Sequence, residues 1–268
     1  VADFTLLDRP HVRGIMFYPR SDRSSPPAGA QELFVPVEQD VRLHSRIYAG
    51  SPDLPTVLLF HGNGEVVTDY DDLSTLYRQF GLNLAVGDYR GYGLSSGSPT
   101  FTGMMADAHA VKAAVLARLD ELGWSHGRFL MGRSLGALSA VELAATDPDG
   151  FRGLIIESGA ANLRGWTRFA SPGEEDAWEA LASAQRDRRA AIRLPMLTIH
   201  GAQDELIPLE RALEAHEATG SDHKELVVIP GVGHNDLLAA GVRVYFEAIT
   251  AFVAQCEHGS SCAAAALR

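Results

Sequence analysis

The stretch RFLMGRSLGALSAVELAA, residues 128–145, runs from a short apolar segment through a Gly-x-Ser-x-Gly pentapeptide into an Ala/Leu-rich helical pattern. That succession predicts a strand turning sharply into a helix, with Gly132, Ser134 and Gly136 at the turn. Glycine on both sides lets the central serine occupy a strained backbone position. Read as chemistry, the pentapeptide is a nucleophile elbow that lifts the Ser134 hydroxyl clear of the sheet end. The bland reading is a glycine-rich turn, and partners elsewhere in the chain must decide between the two.

Working outward, the same grammar repeats. The segments PTVLLFHGNG (55–64) and LNLAVGDYRGYG (82–93) are continuous apolar runs ending in glycines, as expected of strands buried on both faces. FRGLIIESG (151–159), LPMLTIHGAQD (194–204) and KELVVIPGVGH (224–234) read as further strands, each ending in a Gly-rich loop, and ELFVPVEQDVRLHSRIYAG (32–50) reads as a hairpin turning at Gln39 and Asp40. Helical patterns lie between them: from near Asp69 to Phe80, over 103–122, after Ser134, after Pro208 and after Asn235. This alternation predicts an α/β fold with a mostly parallel sheet flanked by helices, and in such sheets ligands bind at the carboxyl ends of the strands. Between Ser158 and Leu194 the alternation breaks. The insert is read as a small helical cap at about 158–194 on a single domain spanning 1–268, with Trp166, Phe169 and Trp178 as substrate contacts at its rim. The alternative for these three aromatics is packing of the cap onto the body.

A serine hydroxyl needs an imidazole to take its proton, and the imidazole needs a carboxylate to fix its tautomer. HGAQDELIP offers Asp204 just past one strand, and PGVGHND offers His234 just past the next. Both stand in the order Ser, acid, His that suits a parallel α/β sheet. Glu157 also follows a strand and competes for the acid role, as does Glu205 beside Asp204. His200, His216 and His223 read as structural or surface histidines. Acyl transfer also requires donors to a developing oxyanion. The main-chain N–H of Leu135 is one candidate and that of Asn63, in the HGNGE loop (61–65), is the other. His61 is expected to brace that loop, and Arg133 to pack away from the pocket.

The 268 residues are 46% apolar and 21% charged, ordinary for a globular protein. A net charge of −11 disfavours nucleic acid and anionic lipid surfaces as partners. The acidic N-terminus does not resemble an export signal, and no long uninterrupted apolar run suggests a transmembrane segment. A cytoplasmic location is the natural expectation, although a chain starting at Val1 leaves a removed leader open. Cys256 and Cys262 are too few for a disulfide framework, and with His258 they read as incidental residues of the tail rather than a metal site.

Taken together, HGNGE, DYRGYGLSSGSP, GRSLG, HGAQDELIP and GVGHND resemble the α/β-hydrolase superfamily, most closely its BEM46-like branch and the α/β-hydrolase-domain-containing 13 and 17 proteins. The resemblance spreads over about residues 32–255. It implies an eight-stranded sheet and a serine hydrolase mechanism without metal or cofactor, and it does not fix the substrate, since related proteins include esterases, lipid hydrolases, thioesterases and peptidases. The expected reaction is hydrolysis of a small-molecule ester, with a thioesterase, a serine peptidase or a catalytically silent binding protein as alternatives and the oligomeric state open.

Overall fold

From Thr56 onward short apolar runs alternate with longer periodic ones, so each strand there is followed by a helix long enough to cross back over the sheet. The computed structural model describes residues 4–161, 170–171 and 173–258. After helix α1 (Pro10–Met16), the expected hairpin forms β1 (Gln31–Glu38) and β2 (Val41–Ile47). Then follow β3 (Thr56–Phe60), α2 (Asp71–Gln79), β4 (Asn83–Gly87), α3 (Phe101–Glu121), β5 (Arg128–Arg133) and α4 (Ala137–Thr146). The last part comprises β6 (Gly153–Glu157), α5 (Glu175–Ala190), β7 (Met196–Gly201), α6 (Leu209–Glu217), β8 (Lys224–Ile229) and α7 (Leu237–His258).

The strands form one eight-stranded sheet in the order β1-β2-β4-β3-β5-β6-β7-β8. β2 runs antiparallel to β1 and β4, and all other neighbours are parallel. β3, β4, β6 and β7 are buried along their whole length, which explains their uninterrupted apolar runs. One face of the sheet packs against α3, α4 and α5 through Phe101, Val111, Leu138 and Trp178. The other packs against α2 and α7 through Tyr77, Tyr245, Phe246 and Phe252. α7 is apolar and long enough to cross a membrane, with mean hydropathy 1.6, and here it lays its aromatic face on the sheet.

Two features depart from the sequence reading. The N-terminal segment folds into α1 and docks Phe4, Leu7, Val12 and Phe17 into the core beside α3. Within the insert, Trp178 does not stand at a rim. It lies on α5 at 1% exposure, in the core with Leu181, where its large apolar area fastens the insert to the body. Trp166, Phe169 and Cys262 lie outside the described residues, while Cys256 is half-buried near the end of α7.

Candidate active site

The elbow has the predicted form. β5 ends at Arg133, Ser134 takes a left-handed backbone conformation (φ 50°), and a short 3-10 turn over Ser134–Gly136 leads into α4. A left-handed non-glycine residue costs about 1–3 kcal/mol. The flanking elements outweigh that cost, because Phe129, Leu130, Met131, Leu138 and Val141 are all buried and each contributes about 1.5–3 kcal/mol. The two glycines serve close approach rather than an unusual φ of their own. A Cβ on Gly132 would lie 2.7 Å from Ala137 Cα, and one on Gly136 would penetrate the carbonyl oxygen of Phe60 at the end of β3. The start of α4 is thereby pressed against the loop that leaves β3. Gly136→Ala is expected to cost about 2–3 kcal/mol, since main chain must move. Gly81→Ala, with φ 75° and open space around it, should cost only about 1 kcal/mol. Denaturant titration of the two variants checks the ranking.

Three strand ends bring Ser134, His234 and Asp204 together. The Nε2 of His234 lies 2.9 Å from the Ser134 hydroxyl, and its Nδ1 lies 2.7 Å from Asp204 Oδ2. An ionised carboxylate only accepts, so Nδ1 carries the proton and Nε2 presents its lone pair to the hydroxyl. Asp204 is held in turn: its Oδ1 accepts the main-chain N–H groups of Leu206 (3.0 Å) and Ile207 (2.7 Å), and its side chain is fully buried. Buried His200 donates from Nε2 to the carbonyl of Ile207 at 2.8 Å, closing the same loop, and burial lowers its pKa. Glu205 points to solvent. His216, read from sequence as a surface histidine, is instead buried against Thr198.

Glu157, the competing acid, belongs to a different network. It accepts from Arg133 Nε at 3.1 Å and from the Tyr245 hydroxyl at 2.9 Å. Burial raises its pKa, with the Arg133 charge and Tyr245 opposing. Arg133 also pairs with Glu65 and donates to Asn235 Oδ1 at 3.0 Å. It faces away from the nucleophile, as its position in the elbow suggested.

The loop after β3 carries His61, Gly62, Asn63, Gly64 and Glu65. His61 is fully buried, donates from Nδ1 to Gly62 O at 2.8 Å, and places Nε2 3.2 Å from Asp88 at the end of β4. Glu65 Oε2 accepts the Gly62 N–H (2.8 Å) and the Tyr70 hydroxyl (2.7 Å). The Asn63 side chain is held by the N-terminal segment. It donates to Met16 O at 2.8 Å and accepts from the Tyr18 N–H at 2.9 Å and the Tyr92 hydroxyl at 2.7 Å. Among the described residues nothing accepts the Asn63 main-chain N–H. Leu135 sits in the first turn of a helix, where N–H groups lack intrahelical acceptors. Sequence reasoning missed Met16, Tyr18, Glu65 and Asn235, whose roles depend on contacts distant in sequence. Among the described residues no cluster of three or more His, Cys, Asp or Glu is disposed to hold a metal ion.

Comparisons with known proteins agree with this architecture. Residues 52–181, which include the Asn63 loop and Ser134, match the family described as serine aminopeptidase S33. Human alpha/beta hydrolase domain-containing protein 17B is 33% identical over 211 residues, covering 76% of this chain and 68% of that protein. Protein bem46 of Schizosaccharomyces pombe is 28% identical over 212 residues, covering 75% and 68%. An esterase of Pyrococcus furiosus superposes with a TM-score of 0.68 at 17% identity, covering 89% of this chain and 99% of that structure. The chain belongs to the α/β-hydrolase superfamily, in the branch of bem46 and the alpha/beta hydrolase domain-containing 17 proteins.

Proposed function

We propose that the protein cleaves carboxylic esters of short to medium acyl chains through an acyl-enzyme on Ser134. The observation that carries this reading is the continuous hydrogen-bonded chain from the Ser134 hydroxyl through His234 to Asp204, at the carboxyl end of a parallel sheet. In the first step Ser134 Oγ attacks the ester carbonyl while its proton passes to His234 Nε2. The carbonyl oxygen becomes an oxyanion facing the N–H groups of Asn63 and Leu135. His234 then returns the proton to the departing alcohol. In the second step water attacks the acyl carbonyl, loses a proton to the same nitrogen and releases the acid, with the proton returning to Ser134. Asp204, ionised throughout, stabilises each transient imidazolium.

The description of the matched family as an aminopeptidase favours amide cleavage as the second reading. The esterase similarity supports the first. A substrate series separates them. With p-nitrophenyl esters, kcat/KM should rise by up to about fourfold per added methylene, equivalent to about 0.8 kcal/mol, and level off at medium chains when the pocket is full. A peptide amide should be cleaved far more slowly. Rates still climbing at long acyl chains would indicate a lipase-like pocket, and an amide turned over as fast as the esters would establish the peptidase.

A further inference from the structure

One side chain beside the nucleophile connects the three loops that the proposed reaction uses. Arg133 is the last residue of β5, next to Ser134, and its side chain is only 12% exposed. Its Nε reaches Glu157 Oε1 at 3.1 Å, directly across the parallel register from β5 to β6. Its Nη1 pairs with Glu65, whose second oxygen takes the Gly62 N–H, the residue before Asn63. Its Nη2 meets Asn235 Oδ1 at 3.0 Å and lies 3.5 Å from the carbonyl oxygen of His234 itself. A guanidinium can serve three directions at once because it is planar and forked, whereas an ammonium is a point charge.

The position of the network matters as much as its strength. Glu157 is buried and held by Tyr245, which anchors the fork to the sheet and to α7. From that fixed point the fork reaches two other parts of the site, the loop that presents Asn63 and the loop that presents His234. Burial lowers the Arg133 pKa and the charges of Glu157 and Glu65 more than reverse it, so the group stays cationic. A cavity of about 240 Å³ adjoins it, lined by Glu65, Tyr70, Arg133, Glu157, Asn235 and Tyr245.

Building on the proposed function, we infer that Arg133 is a positioning residue that sets the Asn63 loop and the His234 loop in register with Ser134. It touches neither substrate nor the reacting atoms. Its effect should therefore appear in kcat and in the rate at which a fluorophosphonate labels Ser134, while KM changes little.

Two variants test this. Arg133→Lys keeps the charge and loses the fork. Asn235→Ala alters an exposed residue and removes only the side-chain link from Arg133 to the His234 loop, so folding is not at risk. Arg133→Lys should lower kcat and labelling rate by about ten- to a hundredfold, the scale of a misplacement near 1 Å. Asn235→Ala should lower them by a smaller factor, and the double variant should lose no more than Arg133→Lys alone, because Asn235 acts through its contact with the Arg133 fork. In Arg133→Ala, guanidinium at non-denaturing concentration should restore part of the lost rate by entering the adjoining cavity, and methylammonium should not. Unchanged kcat and labelling in both single variants would overturn the inference. So would additive losses, or a kcat loss in Arg133→Ala that tracks its melting temperature and is not rescued. These outcomes are read against a wild-type protein that labels at Ser134. A wild type that neither labels nor hydrolyses esters would instead defeat the proposed function, and this inference with it.

Discussion

Ser134→Ala should fold and melt within a few degrees of the parent, yet lose about 10⁶-fold in kcat and all fluorophosphonate labelling. The stability expectation follows from what the side chain does. Alanine occupies the same left-handed position at φ 50°, so the backbone strain is unchanged, and the only bond lost is the 2.9 Å contact to His234, worth about 1 kcal/mol. The catalytic expectation follows from the chemistry. Without Oγ no acyl-enzyme can form, and the N–H groups of Asn63 and Leu135 can contribute only the residual acceleration of an oxyanion site, about 10³–10⁴ over water. Steady-state ester hydrolysis and gel-based labelling measure both quantities on one preparation. Labelling that persists in the alanine variant would place the nucleophile elsewhere, and the reading of the elbow would fall with it.

The parts of the site that were legible in sequence are those encoded locally. Ser134, Asp204 and His234 each follow a strand within a few residues, and a parallel sheet aligns its strand ends. Three separate local patterns thus predict one place in space. The hairpin was legible for a related reason: β1 and β2 alternate around a polar turn that folds on itself.

What could not be read lies in contacts between distant segments. α1 has seven residues with Pro10 at its start and too little length for a periodic apolar face, so its order derives from Val12 and Phe17 meeting the core. Trp178 illustrates a different limit. An aromatic residue on an amphipathic insert fits a pocket rim or a packing face equally well, and only the side of α5 that meets α4 decides it. The glycines of the elbow are a third case. Sequence suggests that they permit strain, whereas the structure shows them clearing space for the Phe60 carbonyl and for Ala137, a distinction that depends on where β3 ends. Arg133 could be recognised as turned away from the pocket, but its grip on Glu65 and Asn235 spans 68 and 102 residues of chain.

Asp204→Asn should lower kcat by about 10³–10⁴-fold with folding preserved, whereas Glu157→Gln should lower it by far less. The difference rests on geometry that separates two buried acids. Asp204 Oδ2 receives the Nδ1 proton of His234 at 2.7 Å while Oδ1 accepts two main-chain N–H groups, so the carboxylate is oriented by its loop and aimed at the imidazole. An asparagine in its place keeps an oxygen for the loop N–H groups and turns its NH2 toward His234. Facing a donor, Nδ1 must give up its proton and Nε2 must carry it, which is the wrong tautomer to accept from Ser134. The amide also cannot stabilise the imidazolium that forms during attack. Glu157 has no such line to His234: its oxygens serve Arg133 and Tyr245, and an amide oxygen can still accept from either. Its substitution should act only indirectly, through the orientation of Arg133. The pH profile adds an independent reading, because in Asp204→Asn part of the lost rate should return at high pH, where hydroxide can remove the serine proton without the imidazole. Measured kcat values in the reverse order, with Glu157→Gln crippled and Asp204→Asn nearly intact, would move the acid to the end of β6 and leave the loop after β7 a structural turn.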